Sequence, residues 1–238
     1  MILPQSGIPR STSGSHTNCP LCDAAGQPYF TDTQRGAHYQ HCAGCEFTWL
    51  DPAHYVSPED ERRHYEQHKN SPEDAGYRGF LKQIWEPLKA TLPAHASGLD
   101  YGSGPGPTLH LMAQADGFAC VHYDPVFHPD DSVFNCRYDF ITCTETAEHF
   151  HHPAVEFARL AVLLRPGGWL ALMTTRLTSK IDFATWHYRQ DVTHVSFYSE
   201  RSFQVIAQRF NFRPPRFLSN SIVLLQRPPQ SALHNTSN

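Results

Sequence analysis

The sequence predicts an α/β fold in which a mostly parallel sheet carries helices on both faces, with a small metal-binding ribbon in front of it. Short apolar runs alternate with amphipathic segments over residues 97–227, which is typical of such a sheet. A glycine-rich loop follows the first of these apolar runs, and two CxxC pairs lie near the N-terminus. With 238 residues, 40% of them hydrophobic, the chain is long enough for one mid-sized domain and a small appendage.

Five segments divide the chain by composition. We expect a flexible tail rather than a signal peptide over residues 1–17, and a second tail over 228–238. Residues 18–50 form the predicted ribbon, 51–96 a linker with a helical lead-in, and 97–227 the main domain. No apolar run approaches the roughly 18–20 residues of a membrane span, so no membrane association is expected.

The main domain is predicted to consist of alternating strands and helices. A lead-in helix over Tyr77–Thr91 has apolar side chains at helical spacing. Strands are predicted at Gly98–Tyr101, Ala119–Tyr123, Tyr138–Cys143, Trp169–Thr174 and Ile222–Leu225, and helices at Thr108–Ala115, Ala154–Leu164 and Ser199–Phe210. We expect Pro166-Gly167-Gly168 to stop the second of these helices and Ser199 to cap the third.

Two cysteine pairs, Cys19-Pro-Leu-Cys22 and Cys42-Ala-Gly-Cys45, are separated by 19 residues. Two thiolates three positions apart bind one metal from a tight turn, and two such turns joined by a hairpin complete a tetrahedral site. The spacing therefore predicts a structural zinc on Cys19, Cys22, Cys42 and Cys45. Two disulfides or an emptied site are the alternatives, but the lack of an export signal predicts a reducing cytoplasmic location, which favours metal.

A glycine loop, Asp100-Tyr101-Gly102-Ser103-Gly104-Pro105-Gly106, lies between a predicted strand and a predicted helix. Glycines at this position let the backbone approach a ligand closely. Asp124 ends the next strand, 20 residues after Gly104, where a carboxylate can bind both ribose hydroxyls of an adenosine ligand. The GxGxG spacing and the acid at Asp100 favour a positively charged ligand such as a sulfonium amino acid over a dinucleotide. A turn with purely structural glycines is the alternative.

Four motifs in order carry a family resemblance. The segment Asp100–Gly106 is followed by Asp124, then by Cys143-Thr144-Glu145-Thr146-Ala147-Glu148-His149, then by Leu164-Arg165-Pro166-Gly167-Gly168. The chain thereby resembles class I S-adenosylmethionine methyltransferases, most of all the group that includes ubiquinone-biosynthesis O-methyltransferases. The resemblance implies a Rossmann-like sheet, methyltransferase activity and S-adenosylmethionine as cofactor. It implies cofactor contacts from Asp100, Gly102, Ser103, Gly104, Gly106, Asp124, Cys143 and Thr144.

The chain departs from that family after Asp124. Only 13 residues separate Asp124 from Tyr138, where the family usually has a helix and a further strand. That insert normally supplies an acid near the adenine. In this chain Asp130 or Asp131 would have to substitute.

A second group of polar residues lies at the carboxyl edge of the predicted sheet, where ligands bind in open α/β folds. Glu145, Glu148 and His149 follow the strand Tyr138–Cys143, and on a helical turn the three would share a face. His194 is expected over the same pocket, because the aromatic segment around it follows the next strand.

Three hypotheses concern these residues. In the first, Glu145, Glu148, His149 and His194 bind a divalent ion such as Mg²⁺ that polarises a hydroxyl acceptor, as a resemblance to magnesium-dependent small-RNA 2′-O-methyltransferases implies. In the second, His149 or His194 acts as a general base. In the third, the histidines only shape the pocket.

The methyl acceptor is expected to be a small molecule. The aromatic residues Tyr65, Tyr77, Trp186 and Tyr188 suit a flat or apolar acceptor, and a formal net charge of −4 argues against nucleic acid. An RNA methyltransferase is one alternative, since some ribosomal-RNA enzymes begin with a CPxC zinc finger. A non-catalytic zinc-ribbon adapter that binds a nucleoside is another. The sequence encodes neither the acceptor nor the oligomeric state.

Overall fold

A computed structural model describes residues 18–67 and 70–230 of the chain. The predicted tail at 1–17 and most of the predicted tail at 228–238 lie outside these residues. The described part contains strands β1–β10 at Gln27–Asp32, Ala37–His41, Thr48–Leu50, Ser97–Tyr101, Ala119–Tyr123, Tyr138–Thr144, Leu164–Met173, Ser196–Phe197, Arg216–Phe217 and Ile222–Gln226. Helices α1–α6 lie at Pro58–Tyr65, Ala75–Lys89, Leu109–Ala115, Pro153–Leu163, His187–Gln190 and Glu200–Arg209. Short 3-10 helices lie at Pro52–His54, Asp131–Asn135 and Ala147–His149.

A six-stranded sheet forms the centre of the main domain, with strand order β5-β4-β6-β7-β10-β9. The first four strands are parallel, and β10 runs antiparallel to both β7 and β9. Because side chains alternate along a strand, the sheet buries two apolar faces. One face packs with residues of α4 and α6, and the other with residues of α2 and α3. The predicted α/β fold with helices on both faces is confirmed.

The predicted element boundaries hold in some places and fail in others. The strand Ala119–Tyr123 is found as predicted, and Ser199 caps α6 by accepting a hydrogen bond from the Ser202 amide. The prediction for Pro166-Gly167-Gly168 is wrong in its detail. The helix ends at Leu163, before these residues, which lie inside β7. The strand accommodates them through an irregular register against β6 and a φ of +82° at Gly167.

The segment that connects β5 to β6 contains little regular structure, as its short sequence predicts. Within the described residues it contains one 3-10 helix, Asp131–Asn135, and no further strand. Strand β5 therefore stands at the edge of the sheet. The segment after β5 turns back at once, and the Asp124 and His128 backbones bond to each other.

The cysteine-containing segment forms a small antiparallel sheet, β1-β2-β3, to which the main domain adds β8 as a fourth strand. Residues of the cysteine turns belong to the same buried cluster as one face of the large sheet. The ribbon is thus packed against the main domain along its length. Of the helices in the described residues, none combines the length and the apolar character required to cross a bilayer.

Candidate functional site

A cavity of about 770 Å³ opens where β4, β5 and β6 end. Its walls come from the residues after these three strands, from α1 and α2, and from residues 187–194. Parallel strands bring these loops together because their carboxyl ends share one edge of the sheet. The cavity is large enough for a nucleoside-sized ligand and a small second molecule.

The glycine loop forms one wall of the cavity, and its backbone amides fix it to the end of β5. The amides of Gly102 and Ser103 donate to the Tyr123 carbonyl, at 2.8 and 3.1 Å. Gly102 and Gly104 have φ values of +76° and +64°, which side-chain-bearing residues rarely adopt. A Cβ on Gly104 would meet no atom within 4 Å, so the loop leaves space in front of this residue.

Asp124 joins the loop to the end of the next strand. Its Oδ2 accepts from the Gly104 amide at 2.9 Å, and its Oδ1 accepts from the amides of Val126 and Phe127 at 2.9 and 3.0 Å. The side chain is nearly buried yet lines the cavity. A carboxylate oxygen has about two lone-pair sites, so Oδ2, which accepts one hydrogen bond, retains capacity for a ribose hydroxyl.

The predicted cofactor residues fall into two layers. Five of them line the cavity: Gly102, Ser103, Gly104, Asp124 and Thr144. The other three, Asp100, Gly106 and Cys143, do not line it. A Cβ on Gly106 would lie 2.0 Å from the Asn70 carbonyl oxygen, so this glycine allows a close approach between protein segments instead of contact with a ligand.

Asp100 is a buried carboxyl beneath the loop. Its Oδ1 accepts a hydrogen bond from the Thr142 hydroxyl at 2.8 Å. Burial raises the pKa of Asp100 to about 6, even though the Thr142 bond acts in the opposite direction. The carboxyl thus joins β4 to the neighbouring strand β6.

The two acids proposed for adenine recognition do not line the cavity. Asp130 instead caps the 3-10 helix Asp131–Asn135 by accepting from the Ser132 amide. The cavity wall next to Asp124 is formed by Pro125, Val126 and Phe127, which the sequence analysis did not single out. Their position directly after Asp124 is a sequence signal by which they can be recognised.

His149 and His194 line the cavity, and the buried Glu148 lies next to them. One potential ligand atom from each lies within 4.8 Å of those of the other two. The His149 Nδ1 bonds to the Thr193 carbonyl at 3.0 Å, and the His194 Nδ1 bonds to the Tyr188 carbonyl at 2.6 Å. A carbonyl only accepts, so Nδ1 carries the proton and Nε2 holds the lone pair of each neutral ring.

Glu148 is the least accessible member of this group. Its Oε1 accepts from the Tyr188 hydroxyl at 2.5 Å, and its buried Oε2 has no hydrogen-bond partner among the described residues. Burial raises the pKa of Glu148 to about 7. Glu145 lines the cavity but lies outside the 3-10 helix, with a φ of +48°, because that helix begins only at Ala147. Glu145 therefore does not share a helical face with Glu148 and His149, contrary to the prediction. Burial raises the pKa of Glu145 to about 8.

Asp191 and His64 are site residues that the sequence analysis missed. The Asp191 Oδ2 lies 3.0 Å from His64 Nε2, and its Oδ1 accepts from the hydroxyl and amide of Thr193. Burial opposes ionisation, yet these hydrogen bonds and the His194 charge lower the pKa of Asp191. The Asp-x-Thr spacing is a local sequence signal for the contact between Asp191 and Thr193. The contact with His64 spans 127 residues and has no local signal.

The four ribbon cysteines form a compact sulfur cluster. The Sγ atoms of Cys19 and Cys45 lie 3.6 Å apart, those of Cys22 and Cys42 lie 3.5 Å apart, and all four lie within 4.8 Å of one another. A tetrahedral zinc with Zn–S bonds of about 2.3 Å requires sulfur separations of roughly 3.8 Å. The donor set and its spacing therefore fit zinc.

Comparisons with known proteins show which family the chain resembles. A family model described as "Methyltransferase domain" matches residues 74–214. Ubiquinone biosynthesis O-methyltransferase of Aeromonas salmonicida is 31% identical over 87 residues, which is 37% of each chain. The Serratia proteamaculans protein of the same name is 30% identical over 87 residues, 37% of this chain and 36% of its own. The match thus spans little more than a third of these curated relatives.

A solved structure gives a weaker likeness. It is the 1,6-didemethyltoxoflavin-N1-methyltransferase of Burkholderia thailandensis, with bound 1,6-didemethyltoxoflavin and S-adenosylhomocysteine. The two chains are 14% identical with a TM-score of 0.48, and the alignment covers 86% of this chain and 100% of the other.

Proposed function

The chain belongs to the methyltransferase domain family, and from this we propose that it transfers a methyl group from S-adenosylmethionine to a hydroxyl of a small-molecule acceptor. One observation carries the proposal. A single cavity has the Gly104–Asp124 hydrogen bond at one end and the paired histidines His149 and His194 at the other. The first feature suits an adenosine ligand, and the second suits removal of a proton from an acceptor.

The donor end is preorganised by the chain itself. Asp124 holds the Gly104 amide in place and lines the cavity, where its Oδ2 would accept from a ribose hydroxyl. Ser103 lines the cavity, and its buried Oγ has no hydrogen-bond partner among the described residues. A bound ligand would supply the missing partner. When bound there, the sulfonium supplies an already activated methyl group, so the protein mainly aligns the two reactants and excludes water.

The acceptor end provides a base and apolar walls. The lone pair at Nε2 of His149 or His194 can accept the hydroxyl proton as the new oxygen–carbon bond forms. Tyr65 lies against His149, with ring centroids 5.2 Å apart, and Tyr77 lines the same cavity, so both offer flat surfaces to a ring. Among the described lining residues the one arginine or lysine is Arg159, which is paired with Glu156, so the described wall offers little to a polyanion.

A divalent ion at Glu148, His149 and His194 is a second candidate for activating the acceptor. The observation that favours it is the convergence of one carboxylate and two imidazoles, with Glu148 Oε2 buried and unpartnered among the described residues. Such an ion would lower the pKa of a bound hydroxyl. Two nitrogen ligands favour Mn²⁺, Fe²⁺ or Zn²⁺ over Mg²⁺, which prefers oxygen.

We further propose a structural zinc on Cys19, Cys22, Cys42 and Cys45. The sulfur separations support it, and four protein ligands leave no position for a substrate. Metal analysis of purified protein should give one zinc per chain. Protein reconstituted with zinc but containing none would overturn this assignment.

The proposed activity is tested by calorimetry with S-adenosylhomocysteine, followed by turnover with labelled S-adenosylmethionine and catechol, other phenols and a short RNA. We expect binding and methylation of a small hydroxyl compound. Lack of S-adenosylhomocysteine binding would overturn the methyltransferase proposal, and methylation of the RNA alone would overturn the small-molecule acceptor. Stimulation by Mn²⁺ that a chelator reverses, with the ribbon zinc retained, would select the divalent ion over the unaided histidine base.

A further inference from the structure

The cysteine cluster continues directly into a buried strand. The Cys42 amide donates to the Phe47 carbonyl at 2.9 Å, which closes the second cysteine turn onto the start of β3. Phe47 and Trp49 are almost fully buried, and their rings stack with centroids 5.9 Å apart. The conformation of the turn that holds Cys42 and Cys45 therefore determines where β3 begins.

Strand β3 pairs with β8, which comes immediately after the segment that holds His194. Thr48 lies opposite Phe197 and Trp49 opposite Ser196. One residue further, the Leu50 amide donates to the Val195 carbonyl at 2.9 Å. The two-residue strand β8 pairs only with β3 among the described strands, so β3 is what holds it extended.

On its other side, the β8 segment contacts the backbone that carries the acceptor residues. The Val195 amide donates to the Glu148 carbonyl at 2.9 Å, and the Ser196 hydroxyl donates to the Phe150 carbonyl at 2.7 Å. The Thr193 carbonyl accepts the Nδ1 proton of His149. Residues 193–196, which include His194, are thus held between the ribbon and the segment Glu148–Phe150.

Among the described residues, the glycine loop has no hydrogen bond to the ribbon, although Tyr101 belongs to the same buried cluster as the cysteine turns. Within the described residues, the partners in the loop and side-chain hydrogen bonds of Asp100–Gly106 all lie in the main domain: Thr108, Tyr123, Asp124, Thr142, Thr146, Glu156 and Arg159. We therefore expect loss of order in the ribbon to displace residues 193–196 and the two histidines more than it displaces the glycine loop.

We propose that the metal held by the four cysteines acts at a distance as part of the acceptor site: by fixing β3 it positions residues 193–196, and with them His149 and His194. The cysteines and the β3–β8 pair are thus positioning residues for the acceptor half of the cavity. This inference rests on the proposed function for the roles of the two histidines. It adds a functional coupling between a structural metal and the proton-accepting end of the site.

The tautomers of the two histidines report this positioning without any acceptor molecule. With its Nδ1 proton bonded to a backbone carbonyl, each neutral ring is held in the Nδ1–H form. Nitrogen-detected NMR of histidine rings distinguishes this form from the Nε2–H form. We expect the zinc-loaded protein to show Nδ1–H forms for His149 and His194, assigned through His149→Gln and His194→Gln.

The first test removes the metal. In Cys22→Ser, a change at the most accessible of the four cysteines, we expect the zinc to be lost. Both Nδ1–H signatures should disappear, while the Kd for S-adenosylhomocysteine changes by no more than about twofold. Unchanged tautomers in zinc-free protein would overturn the inference. Absence of S-adenosylhomocysteine binding in zinc-loaded wild type would instead overturn the proposed function. The comparison of histidine tautomers with and without zinc would still test whether the metal positions His149 and His194.

A second variant keeps the metal and covers the case in which Cys22→Ser fails to fold. Ser196→Ala removes the hydrogen bond to Phe150 and leaves all four cysteines. We expect one bound zinc, unchanged S-adenosylhomocysteine affinity and a loss of the His149 Nδ1–H signature. The matched control is Ser219→Ala at an exposed serine far along the chain, which should alter none of the three. A wild-type signature in Ser196→Ala would overturn the positioning role of β8.

Discussion

The backbone amide of Gly104 donates to the Oδ2 of Asp124 at 2.9 Å, so the acid that ends β5 also holds the loop that follows β4. Asp124 accepts two further amides at its other oxygen. One side chain therefore fixes two neighbouring loops at the donor end of the cavity. Its replacement should disturb both the ribose contact and the shape of the glycine loop.

Asp124→Ala should weaken S-adenosylhomocysteine binding by about 10- to 100-fold, because hydrogen bonds to a charged group contribute roughly 1.5–3 kcal/mol. Isothermal titration calorimetry measures the effect. The control is Asp130→Ala, which removes an exposed acid that caps the nearby 3-10 helix and does not line the cavity. Equal affinities of wild type and Asp124→Ala would exclude Asp124 as a ligand-binding residue.

Gly104→Leu should abolish detectable S-adenosylhomocysteine binding, because the new side chain would project into the open space before the loop. Gly117→Leu is its matched control. Gly117 also has a positive φ and no atom within 4 Å of a built Cβ, but it lies outside the cavity. Both variants should lose about 1–2 kcal/mol of unfolding free energy from left-handed strain. If both variants bound the ligand alike, the loop would not be the donor site.

The sequence predicts the repeating core of the main domain because each element there is specified by its own residues. A short apolar run marks Ala119–Tyr123, and the serine of a capping box marks the start of α6 at Ser199. The zinc ligands follow from spacing alone, since two CxxC turns need only a hairpin between them. These are local relationships, and the structure reproduces them closely.

Other features depend on contacts between distant segments and leave no local pattern. Strand β8 is two residues long and is extended because β3 pairs with it. His64 is brought to Asp191 by the packing of α1, 127 residues away in sequence. The inward orientation of Glu148 is determined by the hydroxyl of Tyr188, 40 residues further on. Such residues become recognisable as site residues only once the chain is folded.

Gly98→Ala should lower the unfolding free energy by about 1–3 kcal/mol through overpacking. A Cβ on Gly98 would lie 2.1 Å from the ring of Phe140, which is fully buried on the neighbouring strand β6. In a Phe140→Leu background the same change should cost less, because the ring that it meets is gone. Denaturant unfolding of the four proteins gives the coupling energy, and strictly additive effects would contradict the contact.

The buried carboxyl of Asp100 should make stability depend on pH in a defined direction. Burial raises its pKa from the ordinary value of 3.8 to about 6, so the folded protein binds a proton more tightly than the unfolded chain does. The contribution is therefore fully present below pH 4 and is lost as pH rises through about 6, with a slope of at most about 1.4 kcal/mol per pH unit. Asp100→Asn keeps an oxygen that can accept from the Thr142 hydroxyl but removes the titration. Urea unfolding of both proteins from pH 4 to 7 should show a smaller decline of stability in the variant. Parallel curves for wild type and Asp100→Asn would show that folding does not raise the pKa of Asp100.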